Sequence, residues 1–237
     1  MNTQPADSIQ ARLNAVRAHI ASAEHQYGRA PGSVTLLAVS KTWPVADILA
    51  AVDAGQACFG ESYLQEAVPK IEALAGKGIE WHFIGPIQSN KTKPIALHFD
   101  WVHSIDRLSV AQRLNDQRPP ELPPLHACLQ VNIGNEPQKA GVGLAELPAL
   151  ADAVAVLPRL RLRGLMAIPP LTDNFNTQRQ IFRRVREALE RLNARGLNLD
   201  TLSMGMSGDL EAAIAEGATM VRIGSAIFGS RAPLKIR

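Results

Sequence analysis

With 237 residues, 46% of them apolar and 20% charged, the chain can bury a large core, which excludes disordered, collagen-like and disulfide-scaffold classes. Its 25 lysines and arginines exceed its 22 aspartates and glutamates by only three, too thin a positive charge for a nucleic-acid-binding protein. No stretch reaches the roughly 18 apolar residues of a membrane span, and residues 1–5 are polar with no signal-peptide core. The expectation is a cytoplasmic protein with no membrane or nucleic-acid partner.

The first element is a helix over 6–27. Ile9, Leu13, Val16 and Ile20 form its apolar stripe, and Asp7 or Ser8 can cap it. After Pro31-Gly32, the run Val34-Thr35-Leu36-Leu37-Ala38-Val39 has the continuous apolar character of a strand buried on both faces. From there strands and helices alternate. Strands are expected at 34–40, 57–59, 81–84, 100–103, 125–132, 160–167, 200–204 and 219–223. Helices are expected at 45–54, 62–75, 89–97, 107–116, 144–156, 174–195 and 208–216, with a last short one starting at Gly224. Strand starts lie about 19 to 40 residues apart, room for a crossover helix each time. Pro119-Pro120, Pro123-Pro124 and Pro169-Pro170 fall between these segments, and nothing reads as a linker.

Eight strand–helix pairs are the count of a (β/α)8 TIM barrel, here with an extra N-terminal helix and one domain over residues 1–237. An open doubly wound sheet is the runner-up. Lys41-Thr42-Trp43-Pro44 stands after the first strand where a dinucleotide-binding sheet would carry a glycine-rich turn. Cys58 and Cys128 fall in predicted strands and read as buried reduced thiols.

A barrel builds its active site from the C-terminal ends of its strands. Lys41 sits at the first such end, where partial desolvation favours the neutral, nucleophilic amine; a lysine snorkelling to solvent would occupy the same place. Ser207-Gly208 and Gly224-Ser225 open the helices after strands 7 and 8. Helix N-termini, hydroxyls and glycines there suit a phosphate dianion, although both serines could be plain N-caps. Arg222, inward on the last strand, needs an acceptor from the protein or from a ligand. An amine, a phosphate cup and an inward arginine together suggest pyridoxal 5′-phosphate (PLP). His82, mid-strand, reads as a core histidine or a cofactor contact, and Met166 closes strand 6 near the mouth. No His/Cys/carboxylate cluster shows metal-ligand spacing. Asp209, Glu211 and Glu216 read as helix surface charges. Arg179, Arg183, Arg184, Arg186, Arg191 and Arg195 read as the solvated face of a helix whose buried stripe is Ile181, Val185, Leu189 and Leu192.

The chain resembles the pyridoxal phosphate homeostasis protein family, relatives of the alanine racemase N-terminal barrel. The resemblance rests on Ala38-Val39-Ser40-Lys41-Thr42, on Phe59-Gly60-Glu61-Ser62-Tyr63-Leu64-Gln65-Glu66 and on Trp81-His82-Phe83-Ile84-Gly85-Pro86-Ile87-Gln88-Ser89-Asn90-Lys91. It continues in Leu202-Ser203-Met204-Gly205-Met206-Ser207 and in residues 221–229. It implies a fold type III PLP barrel with Lys41 as the Schiff-base lysine, phosphate contacts from Ser207, Gly224 and Ser225, and Arg222 at the pyridine nitrogen. Ser62, His82 and Met166 complete the expected cofactor contacts. Ser62 stands where the family usually has asparagine, and Ser225 replaces a common threonine. Lys139-Ala140-Gly141 stands for the family's Lys-Ser-Gly, with Lys139 at the position of a lysine implicated in cofactor transfer.

The resemblance implies a monomer that binds and delivers PLP, with PLP-dependent apoenzymes as recipients and no turnover of a substrate. The competing expectation is an amino-acid racemase. Such enzymes oppose the lysine with a tyrosine from an added β-domain, and this sequence carries no such domain. Of its two tyrosines, Tyr27 and Tyr63, only Tyr63 can approach the mouth.

Overall fold

The computed structural model describes residues 8–134 and 140–229. The predicted apolar run forms β1 (Thr35–Val39), in which every residue after Thr35 is buried. The remaining strands are β2 (Cys58–Glu61), β3 (Glu80–Phe83), β4 (Trp101–Ile105), β5 (Leu125–Val131), β6 (Leu160–Ala167), β7 (Thr201–Ser203) and β8 (Met220–Ile223). Each pairs in parallel with the next, and β8 returns to pair with β1. That last pairing rules out an open sheet, because closure leaves no edge strand.

The crossovers are filled by α2 (Val45–Asp53), α3 (Leu64–Ala73), α4 (Thr92–His98), α5 (Leu108–Gln117), α6 (Leu147–Ala155), α7 (Phe175–Asn193) and α8 (Leu210–Ala215). Two further helices, α1 (Ile9–Gln26) and α9 (Ser225–Phe228), flank the set. Ser8 caps α1 by accepting from the Ala11 N–H, and Leu13, Val16, Ile20 and Ala23 face inward. This stripe packs on α2, α8 and α9, and Arg12 ties the two flanking helices by donating to the Ile227 carbonyl at 2.7 Å. Among the described residues no helix is long and apolar enough to cross a membrane.

Strand alternation divides the core in two. Leu36, Ala38, Phe59 and Trp81 belong to the layer between strands and helices. The barrel interior holds Trp101, Cys128 and Met166 as a separate cluster. Strands β6 and β7 approach so closely that a Cβ on Gly164 would fall on the Thr201 carbonyl; only glycine permits that contact. Both cysteines are free thiols, but Cys58 is half-buried at the barrel floor rather than in the core. It opens its strand, at the rim, whereas Cys128 is mid-strand and fully enclosed. Burial pushes both thiols up to about 12.

Two expectations for the helices are corrected. On α7, Val185, Leu189 and Leu192 are buried as expected, but Phe182 and Ala188 join them and Ile181 lies at the margin. Its arginines are not simply solvated. Glu216, expected at the surface, is only 2% exposed, because the end of α8 turns it toward α7. Arg179, Arg183 and Arg186 converge on its carboxylate at 2.7, 3.2 and 3.4 Å. Burial opposes ionisation of Glu216, but the hydrogen bonds from Arg183 and Arg179 outweigh it and hold the carboxyl below its ordinary 4.5.

Replacing Glu216 by Gln removes the charge and leaves its partners. The arginines are partly exposed, so we expect a loss of about 1–2 kcal/mol in urea unfolding at neutral pH. A depressed carboxyl stabilises above its unfolded pKa. The gap between parent and variant therefore holds at neutral pH and closes as pH falls below 4.5.

Candidate functional site

The C-terminal ends of the strands surround a cavity of about 530 Å³, a volume suited to a small organic ligand. Six of the expected site residues line it: Lys41, Ser62, Ser207, Arg222, Gly224 and Ser225. Strand parity explains the set. Val39 lines the cavity and Lys41 is two residues further on, so both point inward. The structure does not bring His82 and Met166 to this lining. Ile84 and Ile168 take those places, each two residues beyond, so His82 and Met166 lie one layer deeper in the barrel. Lys139 falls outside the described residues.

Arg222 is 5% exposed. Its Nη1 donates to the Ser203 carbonyl at 2.6 Å and to the Ser203 hydroxyl at 3.0 Å, and its Nη2 donates to the Ala167 carbonyl at 2.9 Å. Burial lowers its pKa to about 10, so it stays charged at neutral pH. From Ser203 a chain of polar groups descends through the barrel. The Ser203 hydroxyl is 2.8 Å from His103 Nδ1, His103 Nε2 is 2.9 Å from His82 Nδ1, and His82 Nε2 is 2.9 Å from Glu80 Oε1. Both histidines are fully buried, and burial lowers their pKa values, against the pull of Glu80 on His82, which favours the neutral rings.

The two ends of this chain fix its direction. A guanidinium only donates and a carboxylate only accepts. With Glu80 accepting from His82, neutral rings carry their protons on Nε2 and each proton in turn points toward Glu80. Residues His103, Ser203 and Glu80 were not legible as a group in the sequence. They lie on three strands, and only the barrel register aligns them.

Neither serine at the mouth is a helix cap. The N-cap of α8 is Asp209 and that of α9 is Gly224. Asp209 instead accepts from the Met206 N–H at 2.6 Å, fixing the turn that carries Ser207. The preceding Gly205 has φ +98°, which favours glycine, and its carbonyl takes the Arg222 N–H at 2.9 Å. The N–H groups of Ser207, Gly208, Ser225 and Ala226 donate to no backbone acceptor among the described residues. Two exposed hydroxyls and the N–H groups of Ser207, Gly208 and Ser225 therefore lie together on residues that line the cavity, as an anion site requires.

Lys41 is held by its neighbours in sequence. Ser40 donates its hydroxyl to Glu61 Oε1 at 2.7 Å. Lys70 of α3 donates to the Ser40 carbonyl at 3.0 Å and to the same Glu61 oxygen at 2.9 Å. Thr42 has φ +70°, a left-handed conformation that a β-branched residue adopts only under constraint. Its N–H donates to Glu66 at 2.9 Å, and Glu66 lies 3.9 Å from Lys70. Burial pushes the Glu61 carboxyl up, against the opposite pull of Ser40 and Lys70. The sequence offered one clue, the i,i+4 spacing of Glu66 and Lys70; nothing in it shows that a buried lysine braces the strand end.

The tyrosines stand apart from this site. Tyr63 is 52% exposed and lines a neighbouring groove. Tyr27 donates to Glu211 at 2.7 Å on the outside of the barrel.

Residues 11–232 match the family model described as alanine racemase, N-terminal domain. The chain is 56% identical over 228 residues to the pyridoxal phosphate homeostasis protein of Escherichia coli (strain K12), covering 95% of this chain and 97% of that one. It is 58% identical over 224 residues to the protein of that name from Pseudomonas aeruginosa, covering 94% and 96%. Among solved structures, PipY of Synechococcus elongatus with PLP bound is similar at a TM-score of 0.83 and 37% identity, covering 94% of this chain and all of that one.

The brace under Lys41 can be measured as a buried pair. Lys70→Met leaves Glu61 buried and unpaired and is expected to cost about 3 kcal/mol in urea unfolding. Adding Glu61→Gln to that variant removes the stranded charge and recovers most of the loss.

Proposed function

This chain belongs to the pyridoxal phosphate homeostasis protein family, built on the barrel of the alanine racemase N-terminal domain, and from that membership we propose that it binds PLP at the barrel mouth and serves intracellular PLP homeostasis. The observation that supports this most is the meeting of Lys41, Arg222 and the two serine turns around one cavity.

The residues present fit the group. Two hydroxyls, Ser207 and Ser225, and the backbone N–H groups beside them suit the phosphate, and Gly208 has open space where a side chain would stand. Arg222 suits the pyridine nitrogen, to which it can only donate. Ser62 faces the same space and can offer a hydroxyl. PLP supplies an aldehyde that condenses with a primary amine, releasing water. Lys41 is the residue we assign to that amine. His82 and Met166 act through the layer that supports Arg222 and the ring, one step removed from the cavity.

We read the protein as a carrier rather than a racemase. Among the described cavity-lining residues, Lys41 carries the single amine, and none carries an imidazole, carboxyl, thiol or phenol that could act as a second acid–base group. Removing and returning a proton on opposite faces needs a second one. PLP-dependent apoenzymes are the recipients we assign, with Lys139 a candidate in the transfer. A cytoplasmic setting, a monomer and one cofactor-binding unit over residues 1–237 complete the proposal.

Adding PLP should produce a visible absorbance band that Lys41→Ala abolishes. Ser207→Ala and Ser225→Ala should keep the band, each weakening PLP binding about 10-fold through loss of a hydrogen bond to a charged group. A wild-type protein that stays colourless in excess PLP would overturn the proposal. Incubation of the loaded protein with L-alanine should leave its chirality unchanged; accumulation of D-alanine would favour the racemase.

A further inference from the structure

Strands β2 and β3 begin at the barrel floor, at the end remote from Lys41. Their first residues, Cys58 and Glu80, are register partners. His82 follows Glu80 by two residues and so points to the same side. Cys58 Sγ lies 3.6 Å from Glu80 Oε1, that oxygen lies 2.9 Å from His82 Nε2, and all three ligand atoms fall within 4.8 Å of one another. We propose that Cys58, Glu80 and His82 form a binding site for a zinc-like divalent cation, with its fourth position open to water.

The donor set selects the class of ion. Thiolate, imidazole and carboxylate together suit zinc or cobalt, whereas magnesium and calcium take oxygen ligands. Around a tetrahedral ion with metal–sulfur and metal–oxygen bonds of about 2.3 and 2.1 Å, the sulfur–oxygen separation is about 3.6 Å. That is the separation present here; the nitrogen and oxygen need to part by roughly half an ångström. Access exists as well. The Glu80 side chain is 44% exposed, and a surface hollow lined by Arg17, Gln56 and Cys58 opens beside the thiol. Linear spacing hides the site, because two of its ligands meet only across the β2–β3 register.

A partner for the other ring nitrogen of His82 is already in place. A metal-ligating histidine commonly donates its other ring N–H to a fixed acceptor, and His82 Nδ1 faces His103 Nε2 at 2.9 Å. An ion on His82 Nε2 requires the His82 proton on Nδ1. His103 must then accept at Nε2, carry its own proton on Nδ1 and donate to the Ser203 hydroxyl. Both rings change tautomer while each keeps one proton. Three metal–ligand bonds form, the Cys58 S–H bond breaks, and its proton leaves to solvent.

Cobalt(II) titrated into the full-length protein should bind one to one and raise a thiolate-to-cobalt charge-transfer band in the near ultraviolet. Cys58→Ser should remove that band and weaken cobalt binding about 100-fold, since loss of a group that only hydrogen-bonds a ligand already costs about 10- to 100-fold. Cys128→Ser, which removes the enclosed thiol of β5, should leave the band unchanged. If Cys58→Ser does not fold, Glu80→Gln supplies the second test and should weaken binding similarly. In 15N-histidine spectra, zinc should move His82 and His103 from the Nε2–H to the Nδ1–H form. No thiolate band at saturating cobalt, a band that survives Cys58→Ser, or unchanged tautomers under zinc would each overturn the proposal.

Discussion

A guanidinium buried in the barrel sets the terms for the rest of this site. Arg222 is 5% exposed, and a buried charge is costly unless hydrogen-bonded. Its bonded partners are two carbonyls and a hydroxyl, all neutral. They satisfy its geometry, and the Asp209 carboxylate, acting through space, favours its charged form. The positive potential therefore remains at the mouth, where Lys41 and the serine turns also face the cavity, and a dianionic ligand is favoured there. The same requirement reaches downward. Ser203 accepts a hydrogen bond from Arg222, and below it two buried histidines and a carboxylate continue the polar chain through a core that other barrels fill with aliphatic layers.

Lys41 presents the complementary problem. The amine proposed to react must be held in one place on a chain end that bends away from its strand. Glu61 and Glu66 hold the two flanking residues, and Lys70 bridges the carboxylates from α3. Thr42 remains in a left-handed conformation because its N–H is anchored. The parity of β2 places Ser62 in the cavity and Glu61 behind the barrel wall. Neighbouring residues thus face cavity and support respectively.

The fold was legible because its cause is local. Eight buried strands in a parallel barrel write themselves as apolar runs spaced by helical stripes, and most boundaries agree to within two residues. Lys41, Ser207, Arg222 and Ser225 were legible for the same reason, since their positions follow from strand ends. The depth of a side chain in the barrel was not. His82 and Met166 sit one residue pair below the mouth, and depth depends on strand stagger. Convergence across strands was equally hidden. Glu216 looked like a surface charge until α7 was placed beside it, and Cys58, Glu80 and His82 meet only through register. Nothing in the sequence marks Lys70, which the barrel wall encloses.

The central claim is that Lys41 is the point of covalent attachment for PLP. Its most direct test is to load the protein with PLP, reduce it with borohydride, digest it and locate the added mass. One pyridoxyl-phosphate group per chain is expected, on the peptide carrying Lys41 and on that side chain alone. A group found on another lysine, or a loaded protein with no modified peptide, would contradict it.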